Sequence, residues 1–305
     1  MMPVTNVLLL FVLWQGDLNS LLTRAAAGDC SGVSPQLARM WATPGDSQSR
    51  RLAGLALAQC RIAAKQFPEA GSVVGELERD FPADADVLYV SAAYHLKAWN
   101  DAVYRMYKNA PASYRVDQLS AEVFETQGKY TEAIAEYRKA IAKNSKGIDL
   151  HYRLARALLA QSHDASALEQ ARQEFAAELR LNPADAVAEY QVGQILTTQL
   201  KPAEAAAHFE RAVQLRPDFA EALIAVAKIR SGAKRYPEAV ALLERAVKAR
   251  PNAEAAHYNL MVAYRNVGRA EDAQREKTEI DRIQKPPEGE FTNFLKRLGG
   301  PPPPK

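Results

Sequence analysis

The chain has 305 residues, of which 48% are hydrophobic and 25% are charged, a balance that is typical of globular proteins and excludes a wholly disordered chain. Its 39 basic and 36 acidic residues leave a net charge of +3. Nucleic-acid-binding proteins carry a clustered basic face, which this near balance does not indicate, so we expect no nucleic-acid partner.

The first segment, residues 1–16, contains an uninterrupted apolar run from Val7 to Trp14. Such a run is too short to span a bilayer but suits the apolar core of a secretory signal. No basic residue precedes it, since the first is Arg24, so the alternatives are a buried first helix or a misplaced start codon. We expect a signal peptide and export to the periplasm or cell envelope, with a cytoplasmic location as the alternative.

The two cysteines, Cys30 and Cys60, show neither a CxxC motif nor a metal-ligand spacing. The pattern favours two partly buried thiols. The alternative is one disulfide between neighbouring helices, which requires an oxidising compartment.

A repeat of 34 residues organises the rest of the chain, most clearly at Pro183, Pro217 and Pro251. An alanine recurs in the same register, twelve residues before each of these prolines, and the complete set is Ala70, Ala102, Ala133, Ala171, Ala205, Ala239 and Ala273. Four positions later a larger side chain follows in all but the last segment: Val74, Met106, Tyr137, Phe175, Phe209 and Leu243. Each segment shows two stretches of helical periodicity separated by a short turn.

The segment "YQVGQIL" (Tyr190 to Leu196), followed by "AAAHF" (Ala205 to Phe209) and Pro217, is similar to the tetratricopeptide repeat (TPR) pattern W-x2-L-G-x2-Y, A-x3-F and a closing proline. The chain therefore resembles a TPR protein. This resemblance implies an all-α fold, a right-handed superhelical solenoid of stacked helix-turn-helix repeats. One helix pair cannot bury its own apolar face, so each pair stacks on the next and the first helices line a concave groove.

The repeat register predicts domain boundaries along the whole chain. Residues 17–50 are a degenerate N-terminal repeat in which Val33 replaces the alanine. Seven repeats fill 51–285, approximately at 51–82, 83–113, 114–147, 148–185, 186–219, 220–253 and 254–287. The tail, 286–305, is expected to form a capping helix over Glu290 to Leu298 and a proline-rich end.

No motif points to catalysis, a cofactor or a metal. The chain lacks HExxH, G-x-S-x-G, P-loop and G-x-G-x-x-G patterns. Its five histidines are not paired at metal-ligand spacing, and its paired acids fall on solvated helix faces. We expect a protein that is not an enzyme and binds no cofactor.

The resemblance implies that partner contacts come from fixed positions of the first helices. These positions select Tyr152, Arg156, Tyr190, Gln194, Lys228, Tyr258, Asn259, Arg265 and Asn266. Aromatic and arginine side chains are frequent binding anchors, although the tyrosines alternatively cover the adjoining helix. The family's two-carboxylate clamp is not matched in any three consecutive repeats. In the first repeat the same positions give an apolar surface of Leu52, Leu55, Gln59 and Ile62, which residues 17–50 cover or a partner binds.

The favoured function is a non-catalytic scaffold that binds a peptide or partner protein in the concave groove. One alternative is a structural subunit of a larger envelope assembly that uses its outer surface and edges. Another is an accessory module of a separate enzyme. The sequence leaves the partner and the oligomeric state open.

Overall fold

The computed structural model describes residues 17–43 and 46–284. Within these residues all regular structure is α-helical. Residues 1–16 and the predicted helix at Glu290 to Leu298 lie outside the described part. No helix in the described ranges has both the length and the apolar character needed to cross a bilayer. The chain divides into two compact units, Met1–Ala112 and Ser113–Lys305.

The first unit contains α1 (17–26), α2 (Cys30–Ala42), α3 (Ser47–Ala63), α4 (Phe67–Asp80) and α5 (Ala85–Asn109). From α2 onward each helix packs on the next one in the chain, and α5 also packs on α3. One apolar core runs through the unit, and α1 contributes Leu18 and Leu21 to it.

The second unit contains ten helices over its described residues. They are α6 (Tyr114–Thr126), α7 (Tyr130–Lys143), α8 (Leu150–Gln161), α9 (Ala165–Leu181), α10 (Ala186–Thr198), α11 (Pro202–Leu215), α12 (Ala220–Gly232), α13 (Tyr236–Ala249), α14 (Glu254–Asn266) and α15 (Ala270–Gln284). Each packs on its neighbours in the chain, and α12 also packs on α14. The fold is thus all-α, and within this unit it is a solenoid of stacked helix pairs.

The recurring alanine holds the two helices of a pair together. In the six segments that form a pair the alanine is 3% exposed or less. In five of them the larger side chain that follows it is equally buried: Val74, Tyr137, Phe175, Phe209 and Leu243. A methyl side chain lets the two backbones approach closely, and the larger neighbour fills the space beside the contact.

Most pairs share one turn geometry. A residue with left-handed backbone lies five positions before the small buried residue. These are Gly28, Lys65, Gly128, Leu200, Lys234 and Gly268, with φ between 58° and 91°. Glycine adopts this conformation freely, whereas lysine and leucine do so at a cost. Val33, five residues after Gly28, is fully buried, so α1 and α2 follow the same local rule as the later pairs.

The prediction of a helix pair in 83–113 is wrong, because α5 runs without interruption from Ala85 to Asn109. Ala102, predicted near the start of a second helix, is an exposed residue within α5. Neither glycine nor proline occurs between these ends, so nothing in the local sequence breaks the helix. This segment therefore keeps the repeat spacing in its sequence but does not form the turn between two helices.

Cys30 and Cys60 form a disulfide that joins the start of α2 to α3, with their Cα atoms 5.1 Å apart. This separation lies inside the range that disulfides normally span. The favoured interpretation of two free thiols is therefore wrong for this structure, and the alternative pairing of neighbouring helices is the one observed.

The α8 helix begins on a carboxylate supplied by another helix. Asp149, its N-cap, has φ 67° and makes no side-chain capping hydrogen bond. The fully buried Glu178 of α9 instead accepts hydrogen bonds from the backbone N–H groups of Asp149, at 3.2 Å, and Tyr152, at 3.3 Å. A carboxylate at a helix N-terminus satisfies free N–H groups and interacts favourably with the helix dipole.

Candidate functional site

The nine predicted site residues all lie on the first helices of four consecutive pairs in the second unit. We call the exposed surface of α8, α10, α12 and α14 the first-helix surface. Its members are Tyr152 and Arg156 on α8, Tyr190 and Gln194 on α10, Lys228 on α12, and Tyr258, Asn259, Arg265 and Asn266 on α14.

Two of the three equivalent tyrosines are partly buried against their own helix pair. The Tyr152 ring lies edge-on to Phe175 at 5.5 Å between centroids. The Tyr190 ring lies 5.6 Å from Phe209. Burial raises the pKa of both phenols above the usual tyrosine value. Both rings therefore do cover an adjoining helix, and this packing fixes the orientation of whatever part they expose.

Tyr258 occupies the same position on α14 but is 55% exposed. An exposed aromatic ring on a rigid helix offers a large contact area with little conformational entropy to lose on binding. The equivalent position thus changes from a packed ring on α8 and α10 to an accessible one on α14.

Three cations of the first-helix surface are exposed and make no ion pair with any described residue: Arg156, Lys228 and Arg265. Arg156 contacts only the Tyr152 ring among charged and aromatic groups, with its guanidinium carbon 6.0 Å from the ring centroid. Other arginines on these helices do have carboxylate partners, as Arg153 does with Glu122 at 3.1 Å. The unpaired cations therefore leave positive charge on this surface.

The acidic residues of the same helices are confined to the helix starts. Glu189, Glu221 and Glu254 all lie in the first turns of their helices. Glu221 pairs with Arg250, and Glu189 and Glu254 contact His208 and Gln284. The middle and end of each of these helices consequently carry no acidic residue.

The amide side chains of the predicted set each donate one hydrogen bond within the protein. Gln194 donates to the Tyr190 hydroxyl. Asn259 and Asn266 donate to the backbone carbonyls one turn earlier, at 2.6 and 2.8 Å. These bonds orient the amides and leave the second N–H and the carbonyl oxygen of each for a partner.

A cleft of about 400 Å³ opens beside Tyr190, where α10 meets the loops before α12 and α14. Its wall is lined by Tyr190 and Phe219, whose ring centroids are 5.1 Å apart. The Arg216 guanidinium stacks on Phe219 at 3.7 Å from the ring centroid. Glu221 and Arg250, which also line the cleft, pair with each other at 2.5 Å.

Sequence analysis missed this cleft, although one signal was present. Phe219 stands two residues after a repeat-closing proline, where the neighbouring repeats have Asp185 and Ala253. An aromatic ring at a position that is otherwise small or capping marks a local departure from the repeat. It gives Tyr190 a second aromatic neighbour and forms the floor of the cleft.

Three of the five histidines are structural links between the two helices of a pair. The imidazole Nδ1 atoms of His151, His208 and His257 lie 2.6 Å from the carboxylates of Glu174, Glu189 and Glu276, respectively. In the pair α10–α11 the histidine and glutamate have exchanged helices, and in α12–α13 the same positions hold Leu223 and Leu242. Over the described ranges, no group of three potential metal ligands comes together.

The apolar positions of the first repeat are partly covered by the N-terminal pair. Ile62 is buried, whereas Leu52 and Gln59 line a shallow cleft of about 230 Å³ together with Leu22 of α1 and Tyr89 of α5. Residues 17–50 thus cover this surface in part and leave a small apolar opening.

Comparisons with known proteins agree with this helix-pair geometry. A profile described as "TPR repeat" matches residues 123–162, and one described as "Tetratricopeptide repeat" matches 196–252 and 231–284. No curated protein sequence gives a match.

Two solved structures are among those that match this chain. One is YrrB, a TPR protein with an unusual peptide-binding site, with 20% identity, a TM-score of 0.48 and coverage of 65% of this chain and 98% of YrrB. The other is MamA (41-end) from Desulfovibrio magneticus RS-1, with 17% identity, a TM-score of 0.49 and coverage of 56% and 94%. With paired helices in one register and the repeat profiles matching, residues 123–162 and 196–284 of this chain are tetratricopeptide repeats.

Proposed function

We propose that the chain is a non-catalytic scaffold whose first-helix surface binds a peptide or protein segment that carries acidic side chains. Repeats of this family serve in general as protein-interaction modules, and stacked first helices give an extended binding face. The observation that carries the proposal is the set of exposed cations, Arg156, Lys228 and Arg265, without carboxylate partners among the described residues.

Carboxylates on the partner would complete these charges, since an arginine or lysine forms its strongest hydrogen bonds with an ionised acceptor. The packed rings of Tyr152 and Tyr190 and the exposed ring of Tyr258 add apolar contact along the same surface. Because Tyr152 and Tyr190 are already held by Phe175 and Phe209, little ordering of these side chains is needed on binding.

The test is selection of random peptides on the full-length chain, followed by affinity measurement with the selected peptides. We expect enrichment of aspartate and glutamate, and an affinity that falls as salt is added because the charges are exposed. The double variant Arg156→Ala/Lys228→Ala should lose about tenfold or more in affinity, in keeping with two charged contacts.

A matched control removes two exposed cations from second helices, Arg211→Ala on α11 and Lys248→Ala on α13. This control loses the same net charge outside the first-helix surface and should bind as the unaltered chain does. Selected peptides without acidic residues, or equal weakening by both double variants, would overturn the proposed site.

We also propose that the protein works in an oxidising compartment after export. The Cys30–Cys60 disulfide supports this, because such bonds persist in secreted and periplasmic proteins and are rare in the cytosol. Intact mass of the protein from its native cells tests both parts. We expect the recovered protein to lack residues 1–16 and to contain the Cys30–Cys60 disulfide. A full-length chain with two free thiols would contradict export.

A further inference from the structure

The longest helix of the first unit carries most of the exposed apolar surface. Six of the ten large hydrophobic side chains that are exposed in the described residues belong to α5. Buried residues of α5 are confined to its first two turns, at Val87, Val90 and Ser91. The remaining five turns of the helix contain no buried residue, although Tyr94 at their start still packs against the core.

Five of these six exposed side chains share one side of α5, and the sixth, Tyr104, lies outside it. With 3.6 residues per turn, a single stripe about a third of the circumference wide contains the five. We call this stripe the outer face of α5, and its large members are Leu88, Tyr89, Leu96, Trp99, Val103 and Tyr107. Leu88, Leu96 and Trp99 are 51%, 62% and 50% exposed, and Tyr89 and Tyr107 are 74% and 65% exposed. The outer face points away from the side on which Val87 and Ser91 are buried.

The outer face has the spacing of a coiled-coil seam. Apolar residues alternate at intervals of three and four at Tyr89, Ala92, Leu96, Trp99, Val103 and Met106. A seam of this kind lets a second helix pack its own side chains into the gaps. Sequence analysis placed a turn in this segment, so the continuous seam became visible only with the uninterrupted helix.

The positions that flank the seam carry no charge. They are Leu88, Ala93, His95, Asn100, Ala102 and Tyr107, where coiled coils usually carry the glutamates and lysines that select a partner. The charged residues of this stretch, such as Lys97, Asp101 and Arg105, lie on the other sides of α5. An identical helix therefore meets the outer face without like-charge repulsion, and Ala92, Ala93 and Ala102 leave room for close approach.

The available area fits a weak, reversible pairing of two copies. Each of the five most exposed side chains leaves half to three quarters of its surface accessible, or about 100–150 Å² for aromatic and leucine side chains. Two copies together would bury about 1,200 Å², which is at the lower end of specific interfaces.

We propose that the outer face of α5 is a self-association surface that pairs with α5 of a second copy of this chain. The two copies contribute the same stripe, as in any interface with two-fold symmetry. The α5 helix of each copy covers the outer face of α5 in the other copy. This surface lies in the first unit and is distinct from the first-helix surface of the second.

The test is sedimentation of the full-length chain from about 1 to about 200 μM, the range in which an interface of this size is expected to dissociate. We expect a concentration-dependent dimer. Leu96→Glu places a charge at the centre of the seam and should weaken association more than tenfold, leaving a monomer over this range. Because Leu96 is 62% exposed, the substitution should leave the far-UV circular dichroism unchanged. It should also leave the thermal midpoint unchanged at the lowest concentration, where both proteins are monomeric.

A matched control makes the same substitution at Leu200, which is 87% exposed in the turn before α11. Leu200→Glu should associate as the unaltered chain does. A monomer at the highest concentration would overturn the proposal. So would a dimer that tolerates Leu96→Glu, or one that both substitutions weaken equally.

Discussion

The disulfide between α2 and α3 gives the most quantitative prediction. Its loop spans 30 residues of sequence, and the chain-entropy relation for a loop of this length gives about 3.6 kcal/mol of stabilisation at 25 °C. Cys30→Ser is the better perturbation, because Cys30 is partly exposed whereas Cys60 is only 2% exposed. A serine hydroxyl at position 60 would add the separate cost of burying a polar group.

Tryptophan fluorescence isolates the unit that the disulfide stabilises. All three tryptophans lie before residue 113, and Trp41 is buried under the Arg50 guanidinium, 4.2 Å from its ring. With urea m-values of about 1–3 kcal/mol/M, the fluorescence midpoint of Cys30→Ser should fall by about 1–3 M. Reductant added to the unaltered protein should give the same shift.

Two outcomes would refute this reasoning. One is a Cys30→Ser variant whose fluorescence midpoint equals that of the unaltered protein, provided that the disulfide is present in the latter. Its presence is checked by intact mass, which is two hydrogens lower than that of the dithiol form. The other is a matched fall in the unfolding transition of the second unit, followed by far-UV circular dichroism. Repeat arrays transmit stability through neighbouring interfaces only, so a uniform loss would not follow from a local loop closure.

Three further predictions concern the second unit and can be measured by urea unfolding followed by circular dichroism. Glu178→Gln should lower the stability of the second unit by about 1–2 kcal/mol and Glu178→Ala by about 2–3 kcal/mol, because N–H groups of α8 lose a charged acceptor. A Glu178→Ala variant of unchanged stability would exclude the capping role. Gly193→Ala should lower the stability by about 1–3 kcal/mol, since the added Cβ would lie 2.6 Å from the Phe209 ring of α11. Its control, Gly232→Ala, has no atom within 4 Å of the added Cβ and should change the stability by less than about 0.5 kcal/mol. Burial and the Glu244 carboxylate raise the pKa of Tyr264 to about 12. The stability that the neutral phenol contributes is therefore complete below pH 10 and falls as the pH rises through 12. Tyr264→Phe should remove this loss of stability at high pH, and a Tyr264 phenol that ionises at its ordinary pKa would contradict the prediction.

Sequence periodicity was sufficient for the helix pairs that obey the repeat. The alanine register locates the contact between paired helices, and Ala133 and Ala205 are buried as that register requires. Even the irregular start of the chain follows the rule, since Gly28 and Val33 form the same turn and contact. These features are local, because a few residues at fixed spacing determine each one.

Departures from the repeat were harder to predict, because they depend on contacts between distant residues. Glu178 occupies a position that is alanine in three other pairs, at Ala140, Ala212 and Ala246. Only the structure shows that Glu178 caps α8. The cleft beside Tyr190 likewise depends on Phe219 from another pair. Tyr258 is exposed where its equivalents are packed, and here the sequence does carry a signal, because the position that holds Phe175 and Phe209 in the earlier pairs holds Lys277 in the last one.

The missing turn in α5 connects these observations to assembly. In an intact repeat the chain reverses after the first helix, and the second helix covers an apolar side of the first. Between Ala85 and Asn109 the sequence provides neither the glycine nor the proline that accompanies most other reversals, and the helix continues. Apolar side chains of the continued helix, such as Leu96 and Trp99, are exposed. Large exposed apolar patches commonly mark interaction sites, and an identical helix matches the spacing, the uncharged flanking positions and the area of this stripe. The missing turn makes the prediction of a helix pair in 83–113 wrong, and it also leaves the surface on which we propose that two copies pair.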